Sequence, residues 1–248
     1  HGKTTTTAMI SHIFTYLKID PTLVVGGTIL GSNKSYRKGG GDFFIAEADE
    51  SDGSFLKYKP YIGLVTNIDL DHLDYYKTKE KLFAAFIQYT ENIDEKGFCI
   101  LEDEAAKKIN INKRNLVTFG LQKNNKIVLK SYRFVDGMTI AQIDYKEKNY
   151  KLSLPFFGLH NLKNALAAIT TASCLNLDIQ KCCDALSFFS GVKRRLDLVF
   201  KDNKIKIFDD YAHNPGKIES TIIARKQMWK DHKVIVVFQG HRYQRLET

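Results

Sequence analysis

The 248 residues include 37 basic and 28 acidic side chains, a formal charge of +9, and 44% are hydrophobic and 26% charged, the balance of a globular chain that can bury a sizeable core. The basic residues are spread along the sequence and form no dense run, which argues against a nucleic-acid partner and for anionic small substrates. No apolar stretch approaches the roughly 18 residues of a membrane span, no signal peptide opens the chain, and Cys99, Cys174, Cys182 and Cys183 lack the spacing of a disulfide framework or zinc site, so a cytoplasmic protein with no membrane insertion and reduced thiols is expected.

In chain order, His1-Gly2-Lys3-Thr4 reads as the second half of a phosphate loop, so the sequence is expected to be a piece of a longer chain, cut at both ends. Apolar residues at Met9, Ile10, Ile13, Phe14 and Leu17 have the three-and-four spacing of an amphipathic helix. Short apolar runs at Leu23–Val25, Phe43–Ala46 and Ile62–Val65, bounded by Gly, Asp and Asn, predict buried strands, and helical stretches at Lys79–Tyr89 and Asn161–Cys174 alternate with them. That alternation implies an α/β fold with a mostly parallel sheet flanked by helices. The segment 126–154 instead alternates residue by residue and predicts antiparallel strands inserted at an edge. A helix over Ile179–Phe188 gives way to Gly191 and a charged run, after which strand, helix and strand are expected at Ile205–Phe208, Pro215–Met228 and Val234–Phe238. The division falls near Ser190, giving one domain over 1–189 and the start of a second, Rossmann-like α/β domain over 190–248.

Three places carry chemistry. Gly2-Lys3-Thr4 at a helix start suits a triphosphate: backbone N–H groups hold phosphate oxygens, Lys3 neutralises them and Thr4 offers its hydroxyl to Mg²⁺, although the tripeptide alone could simply begin a helix. Phe43–Asp52 is a buried strand running out into Glu47, Asp49, Glu50 and Asp52, carboxylates that repel one another without a cation; a divalent metal is the natural counter-ion, a solvated acidic loop the alternative. Val65–Asp74 is a second strand ending in acidic residues, with His72 among them as a metal or phosphate partner rather than a lone surface histidine.

These elements resemble the central domain of the Mur ligase family, and the details resemble its alanine-adding branch. The matching segments are His1–Thr7, Glu47–Asp52, Thr66–His72, His160–Ala168, Gly191–Arg195, Asp209–Pro215 and Val236–Arg245, so the resemblance runs nearly the length of the chain. It implies an ATP- and Mg²⁺-dependent ligase that joins L-alanine to the carboxylate of UDP-N-acetylmuramate through an acyl phosphate, in peptidoglycan synthesis. It assigns catalysis to Lys3, Glu47, His72 and Asp210, metal binding to Thr4, Glu47 and His72, and nucleotide contacts to Gly2, Lys3, Thr4, Thr5, Asn161, Asn164, Arg195 and Asp210. Tyr211, His213, His241, Arg242 and Arg245 are implied to meet the muramyl nucleotide or amino acid, with Arg195 and Asp210 reaching ATP when the second domain closes. Ala212, Asn214 and Gly240 depart from the branch's usual Gly, His and Pro, which loosens the amino-acid assignment more than the reaction type. Two alternatives stand beside it: a ligase that recycles tripeptide onto the same nucleotide, which usually has Tyr where Ser51 stands, and a P-loop nucleotide-binding protein with no ligase activity.

Overall fold

The structure, a computed structural model, describes every residue except 136, 214, 230, 231 and 240–248. Helix α1 (Lys3–Tyr16) buries Met9, Ile13 and Phe14 on one face, as the spacing requires. Strands β1 (Thr22–Ile29), β2 (Lys34–Arg37) and β3 (Phe44–Ala46) follow, then a 3₁₀ turn at Ser54–Lys57, β4 (Ile62–Val65), the single turn α2 (Leu73–Tyr76) and α3 (Lys79–Glu91). Next come β5 (Phe98–Glu102), α4 (Asp103–Ile109), β6 (Leu116–Gly120), β7 (Ile127–Val135), β8 (Met138–Tyr145), β9 (Lys148–Leu154), α5 (Leu159–Cys174) and α6 (Ile179–Ser187). The last elements are β10 (Asp197–Lys201), β11 (Lys206–Asp209) and α7 (Pro215–Met228).

One sheet runs in the order β4-β5-β6-β7-β8-β9: its first four strands are parallel, and β7, β8 and β9 form the antiparallel excursion that the alternating sequence predicts. A second sheet, β2-β1-β3, pairs β1 with β3 in parallel and with β2 antiparallel, so the expected parallel sheet comes as two pieces. One face of the larger sheet packs Ile100, Phe119, Ile127 and Ile143 against α1, α5 and α6; on the other, Cys99 and Leu101 meet Leu82 and Phe86 of α3 and Ile109 of α4. Parallel strands buried on both faces need such continuous apolar runs. All four cysteines are buried and unpaired, and burial pushes the thiols of Cys182 and Cys183 up to about 12, so they stay protonated.

The final segment departs from expectation. Val234–Phe238, read as a strand, joins no ladder among the described residues, and Ile235 and Val237 are 75% and 96% exposed. Apolar β-branched residues favour a strand only where a neighbour takes their backbone hydrogen bonds, and none of the described residues does so there. The preceding strands form an antiparallel pair, β10 with β11, instead of a parallel layer.

Side chains cap the starts of α3, α4 and α6. Thr78, in extended conformation, accepts a hydrogen bond from Lys81 N at 3.3 Å and so caps α3. Thr78→Ala is expected to cost about 1 kcal/mol and lower Tm by roughly 2–4 °C for a protein of this size, checked by calorimetry; an unchanged Tm would remove the cap from the account.

Candidate active site

The strands β3, β4 and β5 all end on the side where α1 begins, the side on which open α/β sheets bind ligands. Gly2 holds φ at +82°, and a Cβ there would stand 2.2 Å from Asn164 Oδ1, so neither the turn nor the close approach of α5 tolerates a side chain. Lys3, the first residue of α1, donates from Nζ to Asp49 Oδ1 at 3.0 Å and to a Glu50 carboxylate oxygen. Burial disfavours the Lys3 charge, but Glu50 and Asp49 outweigh it and hold its pKa above the ordinary 10.5. Burial likewise works against the Asp49 carboxylate, yet the Ser51 N–H and Lys3 prevail and keep its pKa below 3.8.

Thr4 Oγ1 donates to Glu47 Oε1 at 2.9 Å, and the other oxygen of Glu47 accepts from Gly26 N at 2.7 Å. The doublet Gly26-Gly27 makes this possible: a Cβ on Gly26 would lie 3.0 Å from Glu47 Oε2, and one on Gly27 would lie 2.8 Å from Thr4 Cγ2. His72 stands in left-handed conformation, φ 59°, a costly choice for a non-glycine residue, and its Nε2 lies 3.7 Å from Glu50 Oε1. Tyr76 donates to the Glu50 carbonyl, so α2 holds that acidic loop from below. The structure therefore links Lys3, Glu47 and His72 through short contacts, Thr4 to Glu47 and Lys3 to Glu50 to His72.

The donor set fits a hard divalent cation. A hydroxyl and a carboxylate 2.9 Å apart could serve as oxygen ligands, and Glu50 pairs with His72 at 3.7 Å. No cluster of three His, Cys, Asp or Glu side chains suited to a metal occurs among the described residues, and Mg²⁺ needs none, because it takes one or two protein ligands and completes its shell with water and phosphate.

Beside the loop lies a cavity of about 290 Å³ whose lining includes Gly2, Thr4, Thr5, Asn161, Asn164, Arg195 and Asp210. Both asparagines are nine-tenths buried or more, and Asn161 Nδ2 donates to Phe157 O at 2.8 Å, leaving its carbonyl for another partner. Burial lowers the His160 pKa below 6.5, against the pull of Asp210 and with the push of Arg225, so the imidazole lining this cavity is neutral at pH 7. Arg195 arrives on an added strand-like segment: Lys193 N donates to Thr28 O at 2.8 Å and Leu30 N to Gly191 O at 3.0 Å, extending the edge of β1. Its Nη2 then stands 3.5 Å from Thr4 Oγ1. Asp210 spends both oxygens on backbone donors, Leu196 N at 2.8 Å and Ala212 N at 2.7 Å, so here it braces the loop that carries Arg195.

Tyr211 and His213 are not among the residues lining this cavity; they pack ring to ring, centroids 4.8 Å apart, with Arg194 and Arg195 over the Tyr211 ring. His241, Arg242 and Arg245 lie outside the described residues. Two features escape the sequence reading. The Gly26-Gly27 doublet after an apolar run is a visible signal for close backbone approach. Lys163, which lines the cavity and pairs with the buried Glu102 at 2.5 Å, carries no signal, since Glu102 also caps α4 and the two are 61 residues apart.

The sequence matches the Mur ligase middle domain over residues 1–172 and the Mur ligase glutamate ligase domain over residues 194–246. It is 41% identical to the UDP-N-acetylmuramate–L-alanine ligase of Desulforapulum autotrophicum, with 100% of this chain aligned to 55% of that protein, and 39% identical to that of Carboxydothermus hydrogenoformans, 99% aligned to 53%. The crystal structure of the UDP-N-acetylmuramate-alanine ligase MurC from Thermotoga maritima superposes with a TM-score of 0.84 at 33% identity, covering 97% of this chain and 55% of that one. The chain thus spans about half the length of the curated relatives it matches.

Proposed function

The chain belongs to the Mur ligase family, and from that premise we propose that it is the nucleotide-binding part of an ATP-dependent ligase that joins L-alanine to the carboxylate of UDP-N-acetylmuramate. We assign residues 1–189 to nucleotide binding and 190–248 to the start of the second domain. The observation that carries the reading is the set of contacts that fastens Lys3 to Asp49 and Glu50 and Thr4 to Glu47, with Arg195 reaching Thr4 from the second part. An anion-binding helix start, a cation and an oxygen-rich acidic strand end meet there, as transfer of a phosphoryl group requires.

In this reading a carboxylate oxygen of the muramyl nucleotide attacks the γ-phosphorus of ATP, the bond to the β-phosphate oxygen breaks, and ADP leaves with that electron pair. The amine of L-alanine then attacks the acyl carbon, inorganic phosphate departs, and the amine proton passes to water or phosphate. Little covalent work falls to the protein; its task is positioning and charge neutralisation. Lys3 leaves its carboxylates for the β- and γ-phosphates, and the N–H groups at Gly2 to Thr5 face the phosphate oxygens. Thr4 and Glu47, with His72 and Glu50 beside them, would hold Mg²⁺, which supplies charge neutralisation to the phosphates. Asn161, Asn164 and neutral His160 offer hydrogen bonds to the base, and Arg195 adds a second cation. Arg195 Nη2 already lies 3.5 Å from Thr4 Oγ1, beside the proposed phosphate site. Tyr211, His213, His241, Arg242 and Arg245 remain the candidates for the muramyl nucleotide and the amino acid.

The test is a substrate panel on the full-length protein. With ATP and Mg²⁺, phosphate release and amide formation are expected to require both UDP-N-acetylmuramate and L-alanine. Preference for a tripeptide over L-alanine would move the protein to the recycling branch, and phosphate release that needs neither acceptor would overturn the ligase reading.

A further inference from the structure

Between residues 155–157 on one side and β10, β11 and α7 on the other lies a cavity of about 720 Å³, within the roughly 300–1,000 Å³ of small-molecule sites. Among the described residues it shares only Arg195 and Leu196 with the cavity beside the phosphate loop. The sequence of α7 shapes one wall. Trp229 N donates to Arg225 O at 3.1 Å and continues the last turn, so Arg225 and Trp229, four residues apart, lie on one face of the helix. That face meets Phe208 of β11 and Phe157.

Arg225 is 7% exposed, and its guanidinium carbon lies 3.3 Å from the Phe208 ring centroid and 5.2 Å from that of Trp229. Stacking satisfies the face of a guanidinium and leaves its in-plane N–H groups to find acceptors. Nη2 donates to Leu196 O at 3.4 Å, but Nε and Nη1 have no hydrogen-bond partner among the described residues, and the side chain lines this cavity. Burial draws its pKa down to about 10, against the pull of Asp210, so the group is still cationic at pH 7. A buried cation with open donors is unfavourable unless an anion completes it.

The rest of the lining carries the matching charge. Lys201 and Lys206 join Arg225, and Asp197 is the one carboxylate among the described lining residues. With Arg195 left to the phosphate loop, three cations face one anion. An excess of two charges suits a phosphate monoester, close to doubly charged at pH 7, better than a singly charged carboxylate. Lys206 Nζ sits 4.5 Å from the Trp229 ring centroid, so the cations border an aromatic wall, to which Phe134 and Phe156 add. We propose that the cavity binds a small phosphate monoester carried on a flat aromatic ring, with the phosphate at Arg225, Lys201 and Lys206 and the ring against Trp229 and Phe157. Nothing in this site depends on which reaction the enzyme performs.

Trp229 is the single tryptophan of the 248 residues and lines the cavity, so its emission reports on it. In the full-length protein, with Mg²⁺ and ADP saturating, phenyl phosphate is expected to change the emission saturably, with a Kd of about 1 mM or tighter, and the change is expected to vanish in Trp229→Phe. Inorganic phosphate, which lacks the ring, and benzyl alcohol, which lacks the charge, should each bind at least about tenfold more weakly, and benzoate about threefold more weakly. Arg225→Gln should abolish binding. Because that change could also unsettle α7, the decisive variant is Lys201→Gln with Lys206→Gln, both exposed, which should weaken phenyl phosphate by about tenfold at unchanged Tm. Emission that fails to saturate by about 10 mM overturns the proposal. So does benzyl alcohol or benzoate binding as tightly as phenyl phosphate, or a double lysine variant that binds like the parent.

Discussion

Lys3→Met in the full-length enzyme is expected to lower the ligase rate by about 10²–10³-fold at saturating ATP, the usual consequence of removing one preorganised charge from a phosphoryl-transfer site. The methionine keeps the length and apolar stem of the side chain, so the helix start should survive. What changes is the balance of charge: Asp49 and Glu50 lose the ammonium that contacts them both, and in the proposed reaction the developing charge on the γ-phosphate loses a cation. Lys3→Arg separates these effects, because it restores a cation to the carboxylates while presenting a planar fork in place of a compact ammonium to the phosphates. The arginine variant should therefore recover stability without recovering rate. A methionine variant within about threefold of the parent would remove Lys3 from the chemistry.

The same contact has a pH signature. Lys3 and the Ser51 N–H hold the folded-state pKa of Asp49 below its ordinary 3.8, so this carboxylate contributes stability above that value, which is lost as pH falls through the lower folded pKa. A melt series taken downward from pH 5 is expected to show a shallower loss of Tm in Lys3→Met than in the parent, since part of the coupling is already gone. Lys3 itself, raised above 10.5, adds stability below that value that fades only in strong base, outside the working range.

Much of the fold is legible in the sequence because its signals are local. The three-and-four spacing from Met9 to Leu17 marks α1 to within a few residues, Ile62–Val65 coincides with β4, and Pro215–Met228 with α7. The switch to residue-by-residue alternation after Lys126 announces the antiparallel strands β7 to β9. The failures are non-local. Val234–Phe238 has the composition of a strand, but a strand exists only with a neighbour, and composition does not reveal one. The split between β3 and β4 is equally invisible, since pairing partners are set by tertiary contacts. At the site, the contacts of Lys3 with Asp49 and Glu50 and of Thr4 with Glu47 join segments that the sequence marks separately, because glycine, lysine and clustered carboxylates stand out at short spacing. Glu102 with Lys163 depends on a chain crossing that no window of sequence contains, and so does the approach of Arg195 to Thr4.

Glu47→Gln is the sharpest test of the cation site, and its expected result is about a 10²-fold fall in ligase rate, near 2.7 kcal/mol of barrier, with about tenfold more Mg²⁺ needed for half-maximal activity. The carboxylate now accepts on both oxygens, from Thr4 Oγ1 and Gly26 N. An amide of the same size has one acceptor and one donor, so it keeps Gly26 N only by turning its N–H toward Thr4 Oγ1, whose hydroxyl must then accept where it now donates, and the negative charge that would recruit a metal is gone. A change of position can be told apart from a change of charge with Gly26→Ala. The added methyl would stand 3.0 Å from Glu47 Oε2 and must push the carboxylate aside while leaving its charge intact. Geometry alone should then cost about tenfold in rate with a smaller shift in Mg²⁺ requirement. If Glu47→Gln leaves both the rate and the Mg²⁺ titration unchanged, the Thr4–Glu47 contact is a structural tie between α1 and β3 and the metal lies elsewhere.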